Sequence, residues 1–369
     1  MALSTHIPQL NFAQAKHWLK ACIKAKVTPV LYGPPGVGKT ALCAEVAQEV
    51  NLPLRTLIGS TCEPTDIGGF PVVVDGSLQR IPLLQVRQCA EEAGILFIDE
   101  LTTVPLSVQA PLMRGLLEHQ FGDVKLHPDS TVIGACNQPE HAPSAFEFTA
   151  ATGSRLLQAI LTPSHDEVAD FFRYKLGEAG TTLGDEGLDF AVTTSQLPDL
   201  LEMEPPQNSI QKGVPWGCPR AWERGLRAYV AADEGSKIGE QCLASAVGQA
   251  KAIQYIAIKK HRQFLPSINE IIANPVAAKL PADKERQVAI IGLIARVAQK
   301  DVYAAWVYIE RLQGEFGMTC TRMMMRYNNN AFDPKAASAW KKQGMDARLR
   351  AIHFADGFRK GTGLAELQK

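Results

Sequence analysis

Residues 27–50, VTPVLYGPPGVGKTALCAEVAQEV, constrain the fold more than any other stretch of this 369-residue chain. The β-branched, apolar run up to Tyr32 predicts a buried strand. After it, Ala41, Leu42, Val46, Ala47 and Val50 recur at helical spacing. Between the two, Gly33, Gly38, Lys39 and Thr40 match G-x-x-x-x-G-K-[ST]. Strand, glycine loop and helix in that order form a cradle for a triphosphate. The loop amides and the helix N-terminus wrap the phosphates, the lysine reaches the β- and γ-phosphates, and the hydroxyl holds Mg²⁺. The candidate binding loop is Gly33, Pro34, Pro35, Gly36, Val37, Gly38, Lys39, Thr40 and Ala41.

Such a site needs a second magnesium group and a group that activates water. In GILFIDEL, the four apolar residues Ile95 to Ile98 predict a buried strand that ends in Asp99 and Glu100. This puts two carboxylates at the carboxyl end of a strand, where ligands bind in open α/β sheets. Asp99 is the candidate to hold Mg²⁺ with Thr40, and Glu100 the candidate to orient or deprotonate the attacking water. A third strand, Thr131 to Cys136, leads to Asn137. Its amide can reach a γ-phosphate or the water, although an Asn before Gln-Pro is also an ordinary turn residue.

Composition narrows the remaining choices. The length predicts two or three domains. Lys plus Arg equals Asp plus Glu at 38 each, so the chain as a whole offers no basic field for nucleic acid or membrane. The charge is uneven, however: from Thr319 to Lys369 ten Lys/Arg face four Asp/Glu, a net of +6. That tail reads as a solvated helical face or as a basic docking surface. The first twenty residues lack the apolar run of a secretory signal, and no stretch approaches a membrane span, so a cytoplasmic protein is expected. Eight cysteines without a C-x-x-C pair read as free buried thiols.

Together these motifs resemble those of AAA+ ATPases, and most nearly the MoxR-like group. The resemblance rests on Gly33 to Thr40 (Walker A), Ile95 to Glu100 (Walker B), Asn137 (sensor 1), TGSRLL with Arg155, and GCPRAWERGLRA with Arg220. It covers residues 10 to about 260, with the motifs in the family's order. It implies an α/β fold: a P-loop core of parallel sheet flanked by helices, a helical lid and a C-terminal all-helical domain. The expected divisions are 1–162, 163–262 and 263–369. It also implies ATP with Mg²⁺, and a homo-oligomeric, usually hexameric, ring. Arg155 would be an arginine finger acting in trans on the neighbour's ATP, and Arg220 a sensor 2 residue contacting phosphate in its own subunit. Arg114 is a weaker trans candidate. The implied partner is a protein with a von Willebrand factor A domain; the alternative is a DNA-associated motor or loader, which the +6 tail and KKHRQF at 259–264 would serve.

Two insertions fit the same branch. FPVVVDGSLQRIPL at 70–83 carries Asp75-Gly76 between strand-like runs, a hairpin signal, and HQFGDVKLHPDSTVIG at 119–134 reads as a second hairpin. By resemblance they face a pore or partner, which makes Val73, Leu78 and Arg80 candidate substrate contacts; a locally packed sheet edge is the other reading. After Asp99-Glu100 the family has Asn-Arg or similar, whereas this chain has Leu101-Thr102-Thr103. Ser60 and Thr61 are the nearest polar residues that could govern Glu100.

Beyond the core, Ser164 and Glu167 predict a capping box opening a helix. Residues 196–217, with four prolines, predict a long loop. Val302, Ala305, Trp306, Ile309 and Leu312 predict a helix between Asp301 and Gly314, preceded by another over ADKERQVAIIGLIARVAQ. TRMMMRY reads as core filler or as an adaptable surface.

Overall fold

Six short segments pair side by side, all parallel, in the computed structural model, which describes residues 6–142, 145–146, 148–178, 180–233, 235–261, 264–281, 284–312, 317, 319–321 and 324. The strands in chain order are β1 (Gln9–Leu10), β2 (Pro29–Tyr32), β3 (Leu54–Ile58), β4 (Phe70–Val74), β5 (Ser77–Ile81), β6 (Ile95–Asp99), β7 (Gln120–Phe121), β8 (Val124–Lys125), β9 (Thr131–Cys136) and β10 (Leu157–Leu161). The main sheet runs β1-β10-β2-β9-β6-β3, and β4-β5 and β7-β8 are separate antiparallel hairpins.

Parallel pairing requires both faces to be covered, and the strands read accordingly as unbroken apolar runs. In β6, Leu96 and Ile98 face one side with Val108, Leu112 and Leu116 of the helix Leu106–Glu118. Ile95 and Phe97 face the other side with Leu42 and Val46 of the helix Lys39–Glu49 and Leu19 of the helix Phe12–Ala25. The chain leaves β2 and crosses to a non-adjacent strand, so β2, β9 and β10 open a crevice at their carboxyl ends.

Both hairpins form where the sequence places them. Asp75 and Gly76 adopt positive φ (47° and 77°), the conformation a two-residue turn needs to match strand twist. The turn of β7-β8 falls on Gly122-Asp123. The capping box at Ser164 is present, with Glu167 N donating to Ser164 Oγ (3.2 Å) and Ser164 N to the Glu167 carboxylate (3.0 Å). Asp301 caps the helix Val302–Glu310. That helix stops before Leu312, and Gly314 and most of TRMMMRY lie outside the described residues, as does nearly all of the basic tail.

Residues 196–217 differ from the long loop expected. They contain the 3-10 turn Pro198–Leu200 and the helix Gln207–Lys212, which starts after Pro206 and is closed by Gly213 at φ 64°. Proline sets the helix entry and glycine the left-handed exit, a punctuation that a count of prolines alone conceals.

One compact unit comprises Met1–Phe171 with Pro198–Lys251, and the other Phe172–Leu197 with Ala252–Lys369. In the first, Trp222 Nε1 donates to Leu200 O (2.8 Å) within the segment 198–251, and Arg220 N donates to Gly36 O (3.2 Å), which binds that segment to the sheet's own loop. In the second, buried Glu186 accepts from Tyr255 (2.7 Å) and pairs with Lys259, while Asp189 pairs with Arg296 (3.1 Å). These buried charges are matched, so removing one partner leaves the other uncompensated. Seven of the eight cysteines are buried and all eight are free. No helix among the described residues is long and apolar enough to cross a membrane.

Phe97 is fully buried at the centre of the sheet. Phe97→Ala is expected to cost about 3–5 kcal/mol through lost burial and a residual cavity. In a thermal melt the midpoint should fall by about 10 °C; an unchanged midpoint would contradict this packing.

Candidate ATP-binding site

The loop between β2 and the helix Lys39–Glu49 turns twice through left-handed backbone, at Gly36 (φ 78°) and Gly38 (φ 107°). Each glycine also sits where a side chain has no room. A Cβ on Gly36 would lie 2.8 Å from Cys218 Sγ, and one on Gly38 3.1 Å from the Phe12 ring. The loop is thereby walled by the helix Phe12–Ala25 on one side and by the head of the helix Pro219–Ala231 on the other.

Lys39 is folded back into this loop. Its Nζ donates to Gly33 O (2.8 Å), Pro34 O (3.0 Å) and Asn137 Oδ1 (2.9 Å). All three acceptors are neutral, and the side chain is buried. Desolvation therefore pulls the ammonium down to about 8, with Cys136 and Asp99 opposing that shift and the nearby Arg220 guanidinium adding to it. A buried cation with neutral ligands is a binding site for an anion.

Thr40 Oγ1 donates to Asp99 Oδ2 (2.8 Å), so the hydroxyl and the carboxylate at the end of β6 already meet. A hydroxyl and a carboxylate are hard oxygen donors of the kind Mg²⁺ takes beside phosphate. Glu100 follows in left-handed backbone at φ 55°, an uncommon conformation for a non-glycine residue, with its N–H on Asp99 Oδ1 (2.9 Å). This turn carries its carboxylate to the Ser60 hydroxyl, which donates to it. Thr61 bonds Ile58 O instead (2.9 Å), so of the two polar residues open in the sequence Ser60 is the one on Glu100. Gly59 permits the approach: a Cβ there would lie 2.7 Å from Val104 and 3.1 Å from Glu100 O.

The fold thus brings together Gly33 to Ala41, Asp99, Glu100 and Asn137, with Arg220 close enough for its charge to act on Lys39. Arg155 stands apart. It is exposed just after the helix Ala150–Gly153, and among the described residues its side chain makes no hydrogen bond or ion pair. Arg114 pairs with Glu118 of its own helix (3.0 Å). Phe12, Cys218 and Cys136 border the loop, and no spacing in the sequence marks them.

Residues 29–157 match the model of the ATPase family associated with various cellular activities (AAA). They form an AAA ATPase domain. Its fold is the P-loop AAA+ fold, a parallel sheet flanked by helices. Among similar curated proteins are a Holliday junction branch migration complex subunit RuvB from Leuconostoc mesenteroides, 30% identical over 123 residues (30% of each chain), and a proteasome-activating nucleotidase from Methanocaldococcus jannaschii, 33% identical over 125 residues (30% of this chain, 26% of that one). The chain thus spans under a third of the length of these relatives. Among solved structures, NtrX from Brucella abortus superposes with a TM-score of 0.38 at 16% identity, covering 83% of this chain and 67% of that one. ATP with Mg²⁺ is what such a domain uses, and the buried Lys39 and the Thr40–Asp99 pair fit it.

The Lys39 environment sets a pH dependence. A bound phosphate favours the charged ammonium, so above about 8 the free site must take up a proton in order to bind. The association constant for an ATP analogue is expected to hold between pH 6.5 and 7.5. It should then fall by up to about tenfold per pH unit above 8. Calorimetry in two buffers of different ionisation heat should show proton uptake at pH 8.5 and none at pH 7; equal values would refute it.

Proposed function

We propose that the chain is an ATP-hydrolysing ring of the MoxR-like type, which spends nucleotide energy on remodelling a protein partner. Within one subunit, Lys39 and Arg220 neutralise phosphate charge, Thr40 and Asp99 hold Mg²⁺, and Asn137 uses its amide to orient the γ-phosphate or the water. Mg²⁺ when bound would neutralise charge developing on the phosphates. Glu100 orients and deprotonates the attacking water, and Ser60 holds it until then. Arg155 acts on the neighbouring subunit's nucleotide, which makes turnover depend on assembly. The lid (163–262) and the C-terminal domain (263–369) convert nucleotide state into movement. The proposed setting is a cytoplasmic hexamer, and the proposed partner carries a von Willebrand factor A domain.

The observation that carries the choice of a protein substrate is the β4-β5 hairpin. Val73 and Leu78 pair across it and are 69% and 68% exposed, with Phe70 at 62%. Arg80 is its only basic residue, offset by Asp75 at the tip. An exposed apolar ribbon grips protein, whereas a DNA-tracking element needs several Lys or Arg for phosphates. The DNA-motor alternative draws on the similarity to RuvB, named for Holliday junction branch migration.

ATP turnover and particle mass, measured together, test the mechanism. Glu100→Gln is expected to bind ATP and assemble while hydrolysis falls at least about 100-fold. Arg155→Ala should assemble yet lose about 1,000-fold. A monomeric wild type that hydrolyses ATP at an ordinary rate would overturn the shared site.

Binding to duplex and single-stranded DNA across 50–200 mM salt tests the partner class. Tight binding that falls steeply with salt would favour the motor; affinity no tighter than about 10 µM throughout is expected. A pull-down from the native cell that recovers no von Willebrand factor A protein, with or without ATP, would refute that partner.

A further inference from the structure

Four residues beyond Asn137, at the end of the 3-10 turn Pro139–His141, stands an imidazole that the proposed mechanism leaves unused. His141 N donates to Gln138 O (2.9 Å) and Ala142 N to Pro139 O (3.3 Å), so the turn is stiff. His141 Nε2 lies 2.8 Å from Glu204 Oε2, the histidine side chain being 11% exposed and the glutamate 61%. Glu204 is two residues from Glu202, which is doubly tied to Gly217. Glu202 N donates to Gly217 O (2.9 Å), and Gly217 N donates to the Glu202 carboxylate (2.7 Å). Gly217 precedes Cys218, which opens the helix bearing Arg220. The His141–Glu204 contact therefore closes a circuit. One arm starts at Asn137, bonded to Lys39, and the other ends at Arg220, whose backbone bonds Gly36.

The charges around His141 couple it to the loop. Burial and the Lys39 ammonium disfavour its charged form, Glu140 on its own turn favours it, and Glu204 faces it from the segment ahead of Arg220. At neutral pH the imidazole is thus neutral, with Nε2–H donating to Glu204. That leaves the Nδ1 lone pair buried and unpartnered, and Gln138 Oε1 in the same turn is a second buried acceptor without a partner among the described residues. Protonation would turn Nδ1 into a donor and make the Glu204 contact an ion pair.

We propose that His141 and Glu204 are a positioning pair for the ATP site, a titratable strap that holds the Asn137 turn and the Arg220 helix in register and tightens when phosphate offsets the charge of Lys39. The proposal rests on the ATP-site reading and goes beyond it, since neither residue touches the nucleotide loop. Because Glu204 is largely exposed, a moderate effect is expected.

The test uses the full chain. His141→Ala and Glu204→Ala should each lower kcat about threefold to fivefold with KM for ATP within about twofold, and the double variant should be no worse than either single one. His141→Gln, which keeps a donor toward Glu204, should restore kcat to within about twofold but remove the part of the pH profile below pH 7. A second readout does not depend on turnover. In NMR spectra of histidine-labelled protein, the His141 titration midpoint should rise on adding Mg·ADP, and the rise should shrink in Glu204→Gln. A wild type that binds Mg·ADP but lacks turnover would sink the hydrolysis reading while leaving this second test decisive. Unchanged kcat and pH profile in both alanine variants, or a midpoint that nucleotide does not move, would overturn the strap.

Discussion

The structure depends on a buried ammonium. Lys39 sits inside its own loop on Gly33 O, Pro34 O and Asn137 Oδ1, and none of these neutralises it. Burying a charge is costly, and the cost is kept down here by three hydrogen bonds and by the nearby Asp99 carboxylate. Each of those acceptors fixes a different element: the end of β2, the loop itself and the end of β9. The lysine therefore sets the spacing of the crevice in which it waits for an anion. The left-handed glycines serve the same end, since any side chain at Gly36 would push out the helix carrying Arg220.

A second constraint is steric and lies under the carboxylates. β3 and β6 pair residue for residue up to Ile58 and Asp99, after which both chains turn sharply. Gly59 lets the two turns touch, and the left-handed Glu100 aims its side chain back to Ser60. The Glu100 carboxylate, the proposed water activator, is thus held on a hydroxyl by means of strained backbone, at a cost of order 1 kcal/mol. Strain of this kind persists only when the surroundings over-determine it, and here the β6-β9 and β3-β6 pairings do so.

Much of the core was legible because its physics is local. The strand–loop–helix around Gly33–Thr40, the buried run before Asp99 and the Asp75-Gly76 turn each follow from periodicity and backbone preference within some ten residues. The helix Gln207–Lys212 was missed because its Pro206 and Gly213 punctuation was counted as loop composition. The two compact units rest on long-range bonds, Arg220 N to Gly36 O in one and Arg296 to Asp189 in the other, which no local pattern encodes. Ser60 was one of two options until the turn at Glu100 chose between them. His141 and Glu204 left no signal at all, being 63 residues apart and of types common on any surface.

What stands apart from the loop is as instructive as what gathers at it. Lys39 and Arg220 stand near each other and repel, so neither is comfortable until phosphate arrives; that repulsion keeps the crevice receptive. A transferring phosphoryl group spreads charge over three equatorial oxygens and is best held from more than one side. The cations within one chain approach from the loop and from the helix after Cys218. On the proposed reading, the remaining side belongs to Arg155, which the fold places in solvent on the far end of a short helix next to the start of β10 rather than on the nucleotide loop. An exposed guanidinium stays solvated and charged at little cost until a neighbour's phosphate engages it, and on this reading hydrolysis then waits on assembly.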